Sequence, residues 1–178
     1  MFEIDTHGLW RDATAPDMTE LSLSGASIRR IDVGTQYMVS GALAIAASRT
    51  GVDAEGAGLL GIVSGTTYAL RMARDRMLVV TGAGDPLVPG WNDEGYAVTP
   101  MSGALAVIEI SGPNALHVIK RSAVIPTSTP GRCAAISFAG VTVCLYRFEQ
   151  EATFRLHVDR GLAPYLWHWF EAMAQNEG

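Results

Sequence analysis

The sequence predicts an α+β fold, with mostly antiparallel strands and helices packed on a face. Two observations carry this. Short stretches with strand-like alternation recur along the chain and are separated by tight, glycine-bearing turns. Between and after them stand segments with helical spacing, the clearest at the C-terminal end. The order strand, helix, hairpin occurs twice, which suggests two structurally related halves, although the residues themselves do not repeat.

Taken in chain order, residues 1–18 are polar and irregular and read as an N-terminal arm. Strand-like material follows at 21–23, 28–33 and 37–39. Residues 42–49, rich in Ala and Leu and stopped by Gly51, predict a short helix. Residues 52–65 form a glycine-dense loop, and 68–72 with 77–80 predict a hairpin across Arg74, Asp75 and Arg76. The stretch 81–103 is rich in glycine and proline and reads as a connector. This gives a first α+β half over 19–80 and a second over 104–178, forming one compact unit.

The second half begins with a strand at 105–110. Ser111-Gly112-Pro113 then predicts a helix start, with Pro at the first helical position. Residues 134–138 and 141–148 alternate about Ala139-Gly140, a two-residue turn that pairs Phe138 with Val141 and Ala135 with Cys144. Residues 153–158 alternate again, with Phe154, Leu156 and Val158 on one face and Arg155, His157 and Asp159 on a face read as solvated. The closing helix carries an apolar stripe of Leu162, Tyr165, Leu166, Trp169, Phe170 and Met173. Trp167 lies about 140° from Leu162 around that helix, so it is a candidate contact residue together with its neighbour His168.

Composition narrows the function. The chain has 178 residues, a net charge of −5, 48% hydrophobic residues and only 17% charged ones. That supports a packed core and leaves part of the outside available to a protein partner. Basic residues occur as doublets such as Arg29-Arg30 and Lys120-Arg121, which is too sparse for a nucleic-acid surface. Two cysteines suit a reducing compartment. The start lacks the basic and apolar regions of a signal peptide, and no run is long enough to span a bilayer, so the expected location is the cytoplasm.

The search for chemistry yields no catalytic, cofactor-binding or metal-binding assignment. Gly56-Ala57-Gly58-Leu59-Leu60-Gly61 matches G-x-G-x-x-G, but no strand precedes it and Gly65 arrives too soon for a long helix. Asp75, about twenty residues on, falls in a hairpin turn rather than at a ribose. Gly82-Ala83-Gly84-Asp85 lacks the Gly-Lys-Ser/Thr ending of a phosphate loop. His7, His117, His157 and His168 are not at metal-ligand spacing, and Cys133 and Cys144 read as free, semi-buried thiols. Asp93-Glu94 and the pair Glu149 and Glu151 read as solvated turn charges. The candidate partner contacts are Arg155, His157, Trp167 and His168.

Three stretches of the second half resemble a known family. Residues 105–110 with Ser111-Gly112-Pro113-Asn114-Ala115 look like the strand-to-helix entry of the folate-dependent aminomethyltransferase fold. Pro130-Gly131-Arg132-Cys133-Ala134, leading into a hairpin, resembles the gamma subunit of heterotetrameric sarcosine oxidase, a truncated relative of that fold. Phe154-Arg155-Leu156-His157-Val158 and Ala163-Pro164-Tyr165-Leu166-Trp167-His168-Trp169 resemble that subunit's final strand and aromatic helix.

The resemblance implies a non-catalytic subunit of a complex that demethylates sarcosine to glycine, with release of hydrogen peroxide and a one-carbon unit. It implies packing on an alpha subunit, alongside beta and delta subunits. FAD, FMN, NAD and tetrahydrofolate are expected in partner subunits and zinc in the delta subunit, with no cofactor in this chain. It also implies self-association when the chain is isolated. The alternative is a stand-alone folate- or one-carbon-binding protein of the aminomethyltransferase class, which needs a pocket carboxylate to hold a pterin ring.

Overall fold

Alternation of apolar side chains sorts the strands into two mostly antiparallel sheets, each with a helical layer on its outer face. The computed structural model describes residues 18–82, 87–126 and 129–176; of the expected arm over 1–18 all but Met18, and of the Gly82-Ala83-Gly84-Asp85 cluster all but Gly82, lie outside them. The elements of the first half are β1 (Leu21–Leu23), β2 (Ala26–Ile31), β3 (Thr35–Gly41), α1 (Leu43–Thr50), β4 (Ile62–Val63), β5 (Tyr68–Ala73) and β6 (Arg76–Thr81). Then come β7 (Gly90–Asn92), β8 (Tyr96–Pro100), β9 (Leu105–Ser111), α2 (Ala115–Ser122), β10 (Ala135–Phe138), β11 (Val141–Phe148) and β12 (Gln150–Asp159). A 3-10 turn, Arg160–Leu162, leads into α3 (Ala163–Gln175).

The larger sheet has seven strands in the order β1-β2-β9-β12-β11-β10, with β4 parallel to β11. The smaller has five, in the order β5-β6-β3-β8-β7. The expected halves therefore exchange strands: β1 and β2 join β9 to β12, while β3, β5 and β6 join β7 and β8. The stretch expected to be a connector supplies β7 and β8. Tyr96 and Val98 alternate inward there, a short signal hidden among glycines and prolines.

Side-chain parity explains the layering. On β3, Tyr37 and Val39 point to α1, and Met38 points to the other sheet. On β11, Val143 and Leu145 point to α2 and α3, and Cys144 and Tyr146 point between the sheets. The largest core lies between α2, α3 and the seven-stranded sheet, around Ile28, Ile108, Ile110, Phe154, Leu156 and Phe170. Burial of a side chain such as Phe154 or Phe170 stabilises the fold by about 2–3 kcal/mol.

Local signals act as the residues dictate. Gly51 ends α1 in the left-handed region at φ 72°, with its N–H on the Ala47 carbonyl. Ala139 and Gly140 both take positive φ, 47° and 84°, so the β10–β11 turn is the tight primed type, and Phe138 pairs with Val141 as expected. The start of α2 departs from expectation. Pro113 is not the first helical residue, because the chain first closes onto the β1–β2 turn. Asn114 donates from its backbone N–H to the Gly25 carbonyl at 3.0 Å and from Nδ2 to the Ser24 carbonyl at 2.7 Å. The helix therefore begins at Ala115, without a side-chain cap.

Candidate functional site

β12 is buried on both faces, and this corrects the expectation of a solvated polar side. His157 is 2% exposed and sits between the two sheets. Its Nδ1 donates to Gln36 Oε1 on β3 at 2.7 Å. Its Nε2 is therefore the acceptor, taking the Tyr146 hydroxyl at 3.0 Å. Tyr146 in turn accepts from Tyr68 on β5 at 2.8 Å. The chain of bonds Gln36–His157–Tyr146–Tyr68 ties β3 and β5 of one sheet to β11 and β12 of the other.

These groups are held in their neutral forms. Burial, helped by the positive charge of Arg155, pushes the His157 imidazole down to about 3. Burial likewise raises the Tyr146 and Tyr68 phenols and the Cys144 thiol above their usual ranges. Both imidazole nitrogens are occupied, so no lone pair is left to serve as a base.

Beside this chain lies an ionic cluster across β2, β9 and β12. Glu109 is 4% exposed. It receives Arg29 at 3.0 and 2.6 Å on one oxygen and Arg155 at 2.8 Å on the other. Burial opposes its ionisation, but the bonds from Arg29 and Arg155 outweigh that and hold the carboxyl below its ordinary range. The Arg155 guanidinium also stacks over Phe148, 3.2 Å from the ring centroid.

Of the four candidate contact residues, His157 and Trp167 are buried, Arg155 is partly buried and His168 is exposed. Trp167 is 2% exposed and belongs to the core under α3. Arg155 is half-buried in the Glu109 cluster. His168 is exposed and bonds Glu171 at 2.8 Å. The buried face of α3 is Ala163, Leu166, Trp167, Phe170 and Met173. Leu162, Tyr165 and Trp169, expected to be core, are exposed instead. The helix is apolar on more than one side, so the stripe that reads best on paper is not the one the sheet covers.

The glycines of 56–61 have a structural use. A Cβ on Gly58 would stand 1.8 Å from the Gly131 carbonyl oxygen, so the loop packs backbone to backbone against the segment before β10. Leu59 and Leu60 are buried there, and the loop ends in β4 rather than in a helix. Arg71, next to this loop, is spent on the backbone carbonyls of Ala54, Glu55 and Arg74. Cys133 and Cys144 are free thiols, and Cys133 donates to the Met72 carbonyl at 2.8 Å. Among the described residues, no group of three His, Cys, Asp or Glu side chains is placed to hold a metal. No helix there is long and apolar enough to cross a membrane.

Gln36, Tyr68, Tyr146, Glu109 and Arg29 were not among the residues expected to matter. Glu109 carried a usable signal: a lone carboxylate between Ile108 and Ile110 in a buried strand needs a cation beside it.

Comparison with known proteins places these features in a wider setting. The family model described as "Sarcosine oxidase, gamma subunit family" matches residues 37–176. Among solved structures, the chain is similar to a chain of heterotetrameric sarcosine oxidase from Corynebacterium sp. U-96 in complex with pyrrole 2-carboxylate. The TM-score is 0.69 at 23% sequence identity, over 88% of this chain and 89% of that one. Comparison with curated protein sequences finds no match.

Proposed function

We propose, from the premise that the chain belongs to the sarcosine oxidase gamma subunit family, that it is the gamma-type subunit of a heterotetrameric sarcosine-oxidase complex. In this reading it packs on the flavoprotein alpha subunit, beside beta and delta subunits. The complex performs oxidative demethylation of sarcosine to glycine, and the flavins, NAD and tetrahydrofolate are held by the partner subunits. The observation that carries the reading is the extent of the family match, which runs from β3 to the end of α3 and so includes strands of both sheets.

The polar side chains support a scaffold role. His157, Tyr146 and Tyr68 are bonded to one another and held neutral. Glu109 is matched by two arginines of its own chain. These groups order the sandwich rather than face a substrate.

Co-expression of the tagged chain with the other subunit genes of its complex tests the proposal. Flavin absorbance should be retained on the affinity column together with sarcosine oxidase activity. Recovery of the chain without flavoprotein would overturn it.

A further inference from the structure

We propose that the cleft where β2 parts from β9 is a binding site for a small monocarboxylate. The site lies within this chain and does not depend on the gamma-subunit reading. β2 pairs with β9 only as far as Ile31 and Val107, while β9 stays paired with β12 as far as Leu105 and Asp159. Beyond Ile31 the chain turns away toward β3, and the split leaves a cleft of about 700 Å³ bordered by Arg30, Asp32, Gln36, Ser102 and Arg160. That volume falls within the range of small-molecule sites, about 300–1,000 Å³.

Gln36 gives the cleft its chemistry. It is 4% exposed, and three of its four polar groups are committed inside the chain. Its N–H donates to Ser102 Oγ at 2.9 Å, its C=O accepts from the Met101 N–H at 2.7 Å, and its Oε1 accepts from His157 Nδ1 at 2.7 Å. The Nε2 amide bonds to none of the described residues and is the group left to the cleft. A buried donor without a partner is costly, and an acceptor on a bound molecule would satisfy it.

Further donors border the same space. Ser102 Oγ is held by the Gln36 N–H, and its own proton has no acceptor among the described residues. Arg160 Nη2 donates to the Ser102 carbonyl at 2.9 Å, which holds that guanidinium at the rim. Among the described residues, neither Arg160 nor Arg30 pairs with a carboxylate, and Asp32 is the one acid that lines the cleft.

The charge count selects the ligand. Two guanidiniums against one carboxylate leave a single positive charge, in a chain whose net charge is −5. One negative charge completes the wall, whereas a phosphate dianion would overshoot it. A carboxylate also matches planar guanidinium and amide donors with both of its oxygens. Leu105 and Val107, which line the cleft as well, suit a short hydrocarbon body behind that head group.

The test uses the full chain, with benzoate as the probe and benzamide, its uncharged counterpart, as the control, at constant ionic strength. In heteronuclear NMR spectra the Gln36 side-chain amide signal, identified by its loss in Gln36→Glu, should shift with benzoate and stay in place with benzamide. Kd should be about 1 mM, as for other ligands of that size. Arg30 and Arg160 are exposed, so Arg30→Gln combined with Arg160→Gln should leave the fold intact and weaken benzoate at least tenfold. Arg132→Gln, at an exposed arginine of a different cleft, should bind as the wild type does. Gln36→Glu keeps an oxygen for His157 Nδ1 but replaces the donor with a charged acceptor, and should abolish binding.

No shift with benzoate up to about 50 mM, an equal shift with benzamide, or wild-type affinity in the double arginine variant would overturn the site. Tighter binding of inorganic phosphate than of benzoate would overturn it as well. All of these readouts are independent of flavin retention, so either result leaves the gamma-subunit reading where it stands.

Discussion

The two faces of β12 are both buried, one by hydrocarbon and the other by hydrogen bonds. Phe154, Leu156 and Val158 pack against α2 and α3 in a core without polar partners to satisfy. Arg155 and His157, one residue out of phase, meet the other sheet and need Glu109, Gln36 and Tyr146. The first face gains from area removed from water and tolerates inexact geometry. The second gains little net energy per bond but is costly if any partner is missing, so it fixes how the sheets align. A helix–sheet face can be built from composition, whereas a polar sheet–sheet face must be built from exact positions.

That contrast can be pressed hardest on the apolar side. Phe154→Ala should lower stability by about 3–5 kcal/mol through lost burial and a residual cavity, measured by chemical denaturation. A loss under about 1 kcal/mol would mean that the α2–α3 core repacks freely.

On the polar side, His157→Phe keeps an aromatic ring but leaves the Gln36 amide without its donor and takes away one of the two partners of the Tyr146 hydroxyl. It should cost about 2–3 kcal/mol at neutral pH. The same variant carries a pH signature. The folded imidazole is held down at about 3, far below its ordinary value of 6.5. Its contribution is therefore fully present above pH 6.5 and is lost as pH falls toward 3. In the variant, stability should decline less steeply across that window. Glu109, whose lowered carboxyl acts in the same direction, adds to the acid loss in both proteins. An unchanged acid slope would show that His157 is not held neutral.

The smallest effect is expected at the end of the relay. Tyr68→Phe removes the bond at 2.8 Å to Tyr146 and the hydroxyl's interaction with Arg155, while the Tyr146–His157 bond survives. The expected cost is about 1 kcal/mol. A double-mutant cycle with His157→Phe would measure the coupling along the chain of bonds.

Much of this fold was legible because its signals are local. Ala139-Gly140 set the β10–β11 register residue by residue, Gly51 stopped α1, and Arg74 to Arg76 turned a hairpin. The α+β class followed from those elements. The family resemblance followed from the order of three short stretches, and the family match spans them.

What was misread depended on neighbours distant in sequence. Alternation on β12 looked half-solvated because the sequence cannot show that a second sheet covers the other face. β7 and β8 looked like a connector because their partner β3 lies far upstream. On α3, periodicity found an apolar helix but chose Tyr165 and Trp169 for the core over Trp167, since several apolar arcs fit equally well.

The sequence by itself determined most element types and the tight turns, which rest on backbone chemistry within a few residues. Tertiary structure alone decided which faces are buried, how the halves trade strands and which apolar ridge is left outward. The physical reason is that burial belongs to pairs of surfaces, and the second surface is not written in the segment that needs it.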